Sequence, residues 1–196
     1  MTDELDDGRR RFLGIATAAT GAVGGVMLAV PFLGSLQPSA RAQALGAPVE
    51  VNVASLEPGQ MTRKQWRGRT VYVLRRDQEM LDRIERMKPL LADPDSAAST
   101  QPDYTANDFR SVRPEVLVVF GQCTHLGCAP APRFDVQPAD LGDDWLGGFF
   151  CACHGSKFDM AGRVFAGVPA PTNLEIPPYR FIGENIIEIG TDTGAA

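Results

Sequence analysis

The chain has 196 residues, 44% of them hydrophobic and 22% charged, which suits one globular domain of ordinary size. Its 19 Lys plus Arg against 24 Asp plus Glu leave a net charge of -5. The acid surplus argues against a general binder of nucleic-acid phosphates, which needs a basic face. Four Cys are too few to staple a chain this long throughout.

The first charges are acidic, Asp3, Glu4, Asp6 and Asp7, and Arg9-Arg10-Arg11-Phe12-Leu13 follows at once. No charged residue occurs from Phe12 to Ala40, and Phe12 to Leu36 is mostly Ala, Val, Leu, Gly and Phe. About 20 helical residues cross bilayer hydrocarbon, so residues 12–36 are long enough for one transmembrane helix with some tilt. Pro31 falls near the far end, where a helix is more easily bent or stopped. Three arginines precede the run and only Arg41 follows. The positive-inside rule therefore puts residues 1–11 in the cytoplasm and the rest beyond a bacterial inner membrane, in the periplasm. Arg-Arg-x-Phe-Leu before an apolar run also resembles a twin-arginine export signal. Ala42-Gln43-Ala44 has the small-x-small form of a cleavage site. The apolar run, however, exceeds the ~7–15 residues of a secretory h-region, and a single uncleaved anchor is expected.

Residues 37–48 (QPSARAQALGAP) are small, polar or Ala-rich. They show no hydrophobic period, and read as a flexible, extended tether. Residues 49–196 then form the extracytoplasmic domain. Val49–Val53 and Thr70–Leu74 have strand character. Met80, Leu81, Ile84, Met87 and Leu91 recur at three- and four-residue spacing, as in a short amphipathic helix whose last turn Pro89 perturbs. Asp93 to Asp108 is a polar, turn-rich surface excursion, and neither it nor the helix carries a legible function. Val116–Phe120 is a buried β run, and Phe149-Phe150, Arg163–Phe165 and Ile186–Ile189 are further short strands, the last entered through a turn at Gly183-Glu184-Asn185. Many short strands with one helix predict a mainly β domain, a small antiparallel sandwich or barrel with a helical insertion.

All four Cys and both His fall in two short segments, Cys123-Thr124-His125-Leu126-Gly127-Cys128 and Cys151-Ala152-Cys153-His154-Gly155-Ser156. Zinc would take four of the six groups, but zinc sites commonly separate their Cys by two to four residues, and the second pair here is Cys-x-Cys. Two disulfides would use the Cys and leave the paired His unexplained. A [2Fe–2S] centre with His₂ replacing Cys₂ on one iron uses one Cys and one His from each segment. The remaining Cys of each segment are then free to join, and an exported disulfide persists. Only this reading employs all six residues, and spacing alone does not say which Cys are ligands.

C-T-H-L-G-C with C-x-C-H-G-S resembles the Rieske iron–sulfur proteins of cytochrome bc1 complexes, and the likeness runs from the arginine motif through anchor and tether to the β domain. The resemblance implies that Cys123 and Cys151 bind one iron, that His125 and His154 bind the other, and that Cys128 and Cys153 form a disulfide between the loops. It matches Gly167-Val168-Pro169-Ala170-Pro171 to the family's proline-rich third loop covering the cluster. Leu126 corresponds to the apolar residue that shields the cluster and meets the quinol pocket, and Ser156 to a serine whose hydroxyl donates to a bridging sulfide. High-potential members carry a tyrosine where this chain has Phe158, which implies a lower potential here.

As function, the resemblance implies the electron-transfer subunit of a quinol–cytochrome c reductase, a translocase. Such a subunit takes one electron and a proton from quinol at cytochrome b, with His154 at the quinol. It passes the electron to cytochrome c1 by movement of the head, within a dimeric complex in a lipid membrane. The alternative is the Rieske small subunit of another exported oxidoreductase such as arsenite oxidase. Cytoplasmic Rieske ferredoxins and oxygenases lack both the additional Cys pair and the anchor.

Overall fold

A computed structural model describes residues 7–191; Asp3, Glu4 and Asp6 of the acidic start lie outside them. The chain divides into two compact units, Met1–Ala44 and Leu45–Ala196. In the first, helix α1 runs from Asp7 to Gly34 with no buried residue, and its length and apolar composition are sufficient to cross a membrane. It starts before the arginines rather than at Phe12, with Asp7 in a first turn whose positive dipole end favours it. Pro31 is accommodated inside the last turns. The hydroxyls of Thr17 and Thr20 donate to the carbonyls of Leu13 and Ala16, each at 2.9 Å, so neither is left unpaired on the apolar helix surface.

The segment expected to be extended contains a seven-residue helix, α2, Ala40–Gly46. Its Ala-rich sequence has good helix propensity, and Ser39 caps it, its Oγ accepting from the Ala42 N–H at 3.2 Å. The flanking Pro38, Gly46 and Pro48 mask this turn in the sequence, because they argue for a linker on both sides.

From Leu45 onward the unit is built of three antiparallel three-stranded sheets, and the mainly β expectation holds. One has the order β1 (Val49–Asn52), β9 (Ile186–Ile189), β8 (Tyr179–Phe181). The second is β2 (Met61–Trp66), β3 (Arg69–Arg75), β4 (Val116–Phe120), and the third β5 (Ala131–Arg133), β6 (Gly148–Cys151), β7 (Ser156–Phe158). Helix α3, Gln78–Met87, is capped by Asp77 and buries Met80, Ile84 and Met87; a 3-10 turn, Lys88–Leu90, then takes up Pro89. Arg163–Phe165, expected as a strand, makes only single bridges, Val164 to Phe158 and Phe165 to Leu91.

Every residue of β4 is buried, because the apolar run sits against both β3 and the core that includes Phe149, Leu174 and Tyr179. A second core lies under α3, around Trp145 and Met160. These two cores fix the ends of β4 and β6, and both chemistry-bearing segments leave from those ends.

Candidate metal centre

The first segment follows β4 directly. The second is the turn of the β6–β7 hairpin, where Cys151 pairs with Ser156 and Phe149 with Phe158. The two loops close in the same way. The N–H of Gly127 donates to the Cys123 carbonyl at 2.8 Å, and that of Gly155 to the Cys151 carbonyl at 2.9 Å. Both glycines have φ near the left-handed region, +81° and +80°, a conformation that strains other residues and explains Gly four positions after each leading Cys.

This closure points the remaining side chains at one another. The rings of His125 and His154 meet edge to face with centroids 4.7 Å apart. Cys128 and Cys153 are joined by a disulfide, Cα atoms 6.7 Å apart, as the resemblance implied. Cys123 and Cys151 remain free thiols, 3% and 2% exposed. Burial raises the Cys151 thiol above its ordinary value; the backbone at Cys153 opposes this, and the neighbouring Cys123 thiol adds to it. The sulfurs of Cys128, Cys151 and Cys153 lie within 4.8 Å of one another, but the disulfide removes two of the three as thiolate donors. The Nδ1 of His125 is buried without a hydrogen-bond partner among the described residues. An unpaired buried imidazole nitrogen is costly, and coordination would remove that cost. Two buried thiols and two imidazoles at one tip are a soft, mixed S/N donor set that fits an iron–sulfur centre.

The proline-rich loop is bonded to both segments. The N–H of Ala170 donates to the Ser156 Oγ at 3.1 Å, and the Thr124 Oγ1 donates to the Thr172 carbonyl at 2.6 Å. Ser156 is fully buried; since its oxygen accepts here, its own proton is free to donate inward. Thr124 and Thr172 were not singled out in the sequence, although Thr124 lies between Cys123 and His125. Leu126 is 70% exposed, an apolar side chain in solvent at the tip. His154 is also exposed, whereas His125 is half-buried. Phe158 is fully buried.

Comparison with known proteins agrees with this geometry. Residues 47–179 match the Rieske [2Fe-2S] domain family, and residues 2–39 match the family described as "Ubiquitinol-cytochrome C reductase Fe-S subunit TAT signal". The chain is 53% identical to the ubiquinol-cytochrome c reductase iron-sulfur subunit of Allochromatium vinosum, over 96% of this chain and 91% of that protein. It belongs to the Rieske iron–sulfur subunits of ubiquinol–cytochrome c reductase. The Rieske subunit of Blastochloris viridis is 39% identical over 96% of both chains. Among solved structures, a chain of a hyperthermophilic respiratory Complex III matches with a TM-score of 0.50 and 27% identity, covering 88% of this chain and 98% of that one. A Rieske protein carries a [2Fe–2S] cluster, and the export signal read at Arg9–Leu13 is that of the matched amino-terminal family. The arsenite oxidase alternative finds no support among these relatives.

Proposed function

We propose that Cys123 and Cys151 hold one iron of a single [2Fe–2S] cluster and that His125 and His154 hold the other, with Cys128–Cys153 locking the two loops. The observation that carries this reading is the buried Nδ1 of His125, unpartnered among the described residues, together with the two buried free thiols of the same two loops. The chain is the electron-transfer subunit of a cytochrome bc1 complex, part of a catalytic quinol–cytochrome c reductase. When bound, the cluster supplies a one-electron acceptor whose oxidised form makes its imidazole ligands more acidic.

The chain's own residues do the rest. His154, exposed at the tip, accepts the hydrogen bond of the quinol hydroxyl and takes its proton. Leu126, exposed at the same tip, offers the apolar surface that enters the quinol pocket and keeps water from the exchange. Ser156 is held by Ala170 with its proton free to point at cluster sulfur, which favours the reduced state. Its partners are cytochrome b, which carries the quinol site, and cytochrome c1, in a dimeric assembly. Residues 1–11 lie in the cytoplasm, residues 12–36 cross the inner membrane, residues 37–48 tether, and residues 49–196 stand in the periplasm. The tether lets the head carry an electron from one partner to the other.

The test is iron and acid-labile sulfide in complexes carrying Cys123→Ser, Cys151→Ser, His125→Ala or His154→Ala. Each is expected to abolish the reduced EPR signal. A wild-type signal from any of the four overturns the ligand set.

A further inference from the structure

Four consecutive residues after the proline-rich loop, Thr172 to Glu175, are each gripped by a different part of the head. The Thr172 carbonyl takes the Thr124 hydroxyl from the first motif loop. Asn173 is held by the surface excursion. The Leu174 carbonyl accepts from Arg110 Nη2 at 2.7 Å, and the Glu175 carbonyl accepts from the Phe120 N–H, at the end of β4, at 2.8 Å.

Asn173 is the most completely bonded of the four. It is fully buried, and its Oδ1 accepts from the Val164 N–H at 2.8 Å. Its Nδ2 donates to the Asp93 carbonyl at 3.0 Å and to the Ser96 Oγ at 2.9 Å. Its backbone N–H donates to the Ser99 Oγ at 3.2 Å. Asp93 in turn organises its own turn, its carboxylate accepting from the N–H groups of Ala97 and Ala98 and from the Ser99 hydroxyl. An apolar side chain would fill this space as well. A buried amide with every donor and acceptor directed instead fixes where the backbone of its neighbours sits.

We propose that Asn173 is a positioning residue for the cluster, with the Asp93–Ser99 turn as its abutment. By fixing Asn173 the turn fixes Thr172, and the Thr172–Thr124 bond carries that constraint to the residue between Cys123 and His125. The same constraint steadies Ala170, whose N–H holds Ser156. The excursion thereby acquires a purpose: it braces the loop over the cluster from outside.

The inference rests on the ligand set proposed above, and it is tested in the whole complex by redox titration and EPR line shape. Asn173→Asp keeps the volume and the acceptor for Val164 but removes the donor to Asp93 and Ser96. Ser96→Ala removes one bond alone and keeps the fold's packing. Both are expected to weaken Ser156's donation and lower the potential. The reduction equilibrium constant should fall about two- to tenfold, the worth of one ordinary hydrogen bond, a tenfold change being about 59 mV for one electron. In a Ser156→Ala background the same substitutions should shift the potential by at most half as much, because the donation they act through is already gone. A wild-type potential and line shape in both assembled variants overturns the brace, as does an undiminished shift in the Ser156→Ala background. Where Asn173→Asp does not assemble, Ser96→Ala in the two backgrounds decides. An unsubstituted complex without the signal of a histidine-ligated cluster overturns the ligand set instead.

Discussion

The tip of the head and the tether differ in how they are held. At the tip, each loop is closed on itself by a Gly N–H, the two are joined by a disulfide, and each has a side-chain bond to the third loop or the residue after it. Along residues 37–48, Ser39 caps α2, the Gln43 amide donates to the Pro38 carbonyl, and the Arg67 N–H donates to the Leu45 carbonyl. The residues of α2 are exposed up to Leu45. The comparison teaches that this subunit is tied most closely where electron transfer needs fixed ligands, while the lightly held, exposed residues 37–48 suit the proposed movement of the head. Fixed geometry at a redox site and a compliant hinge are separate requirements, and the proposed function assigns them to different residues.

The largest expected effect comes from loosening the tip. Replacing Cys128 and Cys153 together by Ser frees a loop with a sequence separation of 25, for which chain entropy predicts a loss of about 3.5 kcal/mol. Thermal bleaching of the cluster should move to clearly lower temperature; an unchanged midpoint would mean that the other ties suffice. Next comes the reverse manipulation, restricting the tether. Inserting prolines within Ala40–Leu45 should slow turnover several-fold while the EPR spectrum of the cluster stays as it was, since no tip residue is touched. Full turnover in such a variant counts against a moving head.

A smaller effect is expected from polarity inside the tip. Ser156→Ala removes the buried hydroxyl that Ala170 holds, and the potential should fall, consistent with hydrogen bonds to cluster sulfur favouring the reduced state. The complementary change, Phe158→Tyr, should raise it. Phe158 is fully buried on β7, so the added hydroxyl has to find a partner inside the tip. An unchanged or lower potential would show that this position does not tune the cluster.

How much of this was legible in the sequence follows from the range of each interaction. The apolar run Val116–Phe120 and the closing strand Ile186–Ile189 were readable with their full bounds, because burial on both sides or strict local pattern writes itself into adjacent residues. The six Cys and His were legible because metal and disulfide chemistry restricts residue type. Strand β2 was not, since an edge strand reading Met-Thr-Arg-Lys-Gln-Trp carries charge that disguises its alternation. Strands β5, β7 and β8 have three residues each, too few for any period to show. The role of the excursion was illegible for another reason. Asn173 and its partner Ser96 are 77 residues apart, and nothing local marks either as half of a pair. The same holds for Thr124 and Thr172, 48 residues apart.

The account turns on imidazole donors from both loops, and pulsed EPR of the reduced, full-length subunit in its complex reads those donors directly. Two strongly coupled nitrogens are expected, with the coupling altered in His125→Cys and, separately, in His154→Cys. A reduced cluster without nitrogen coupling, or one whose couplings survive both substitutions, would contradict it.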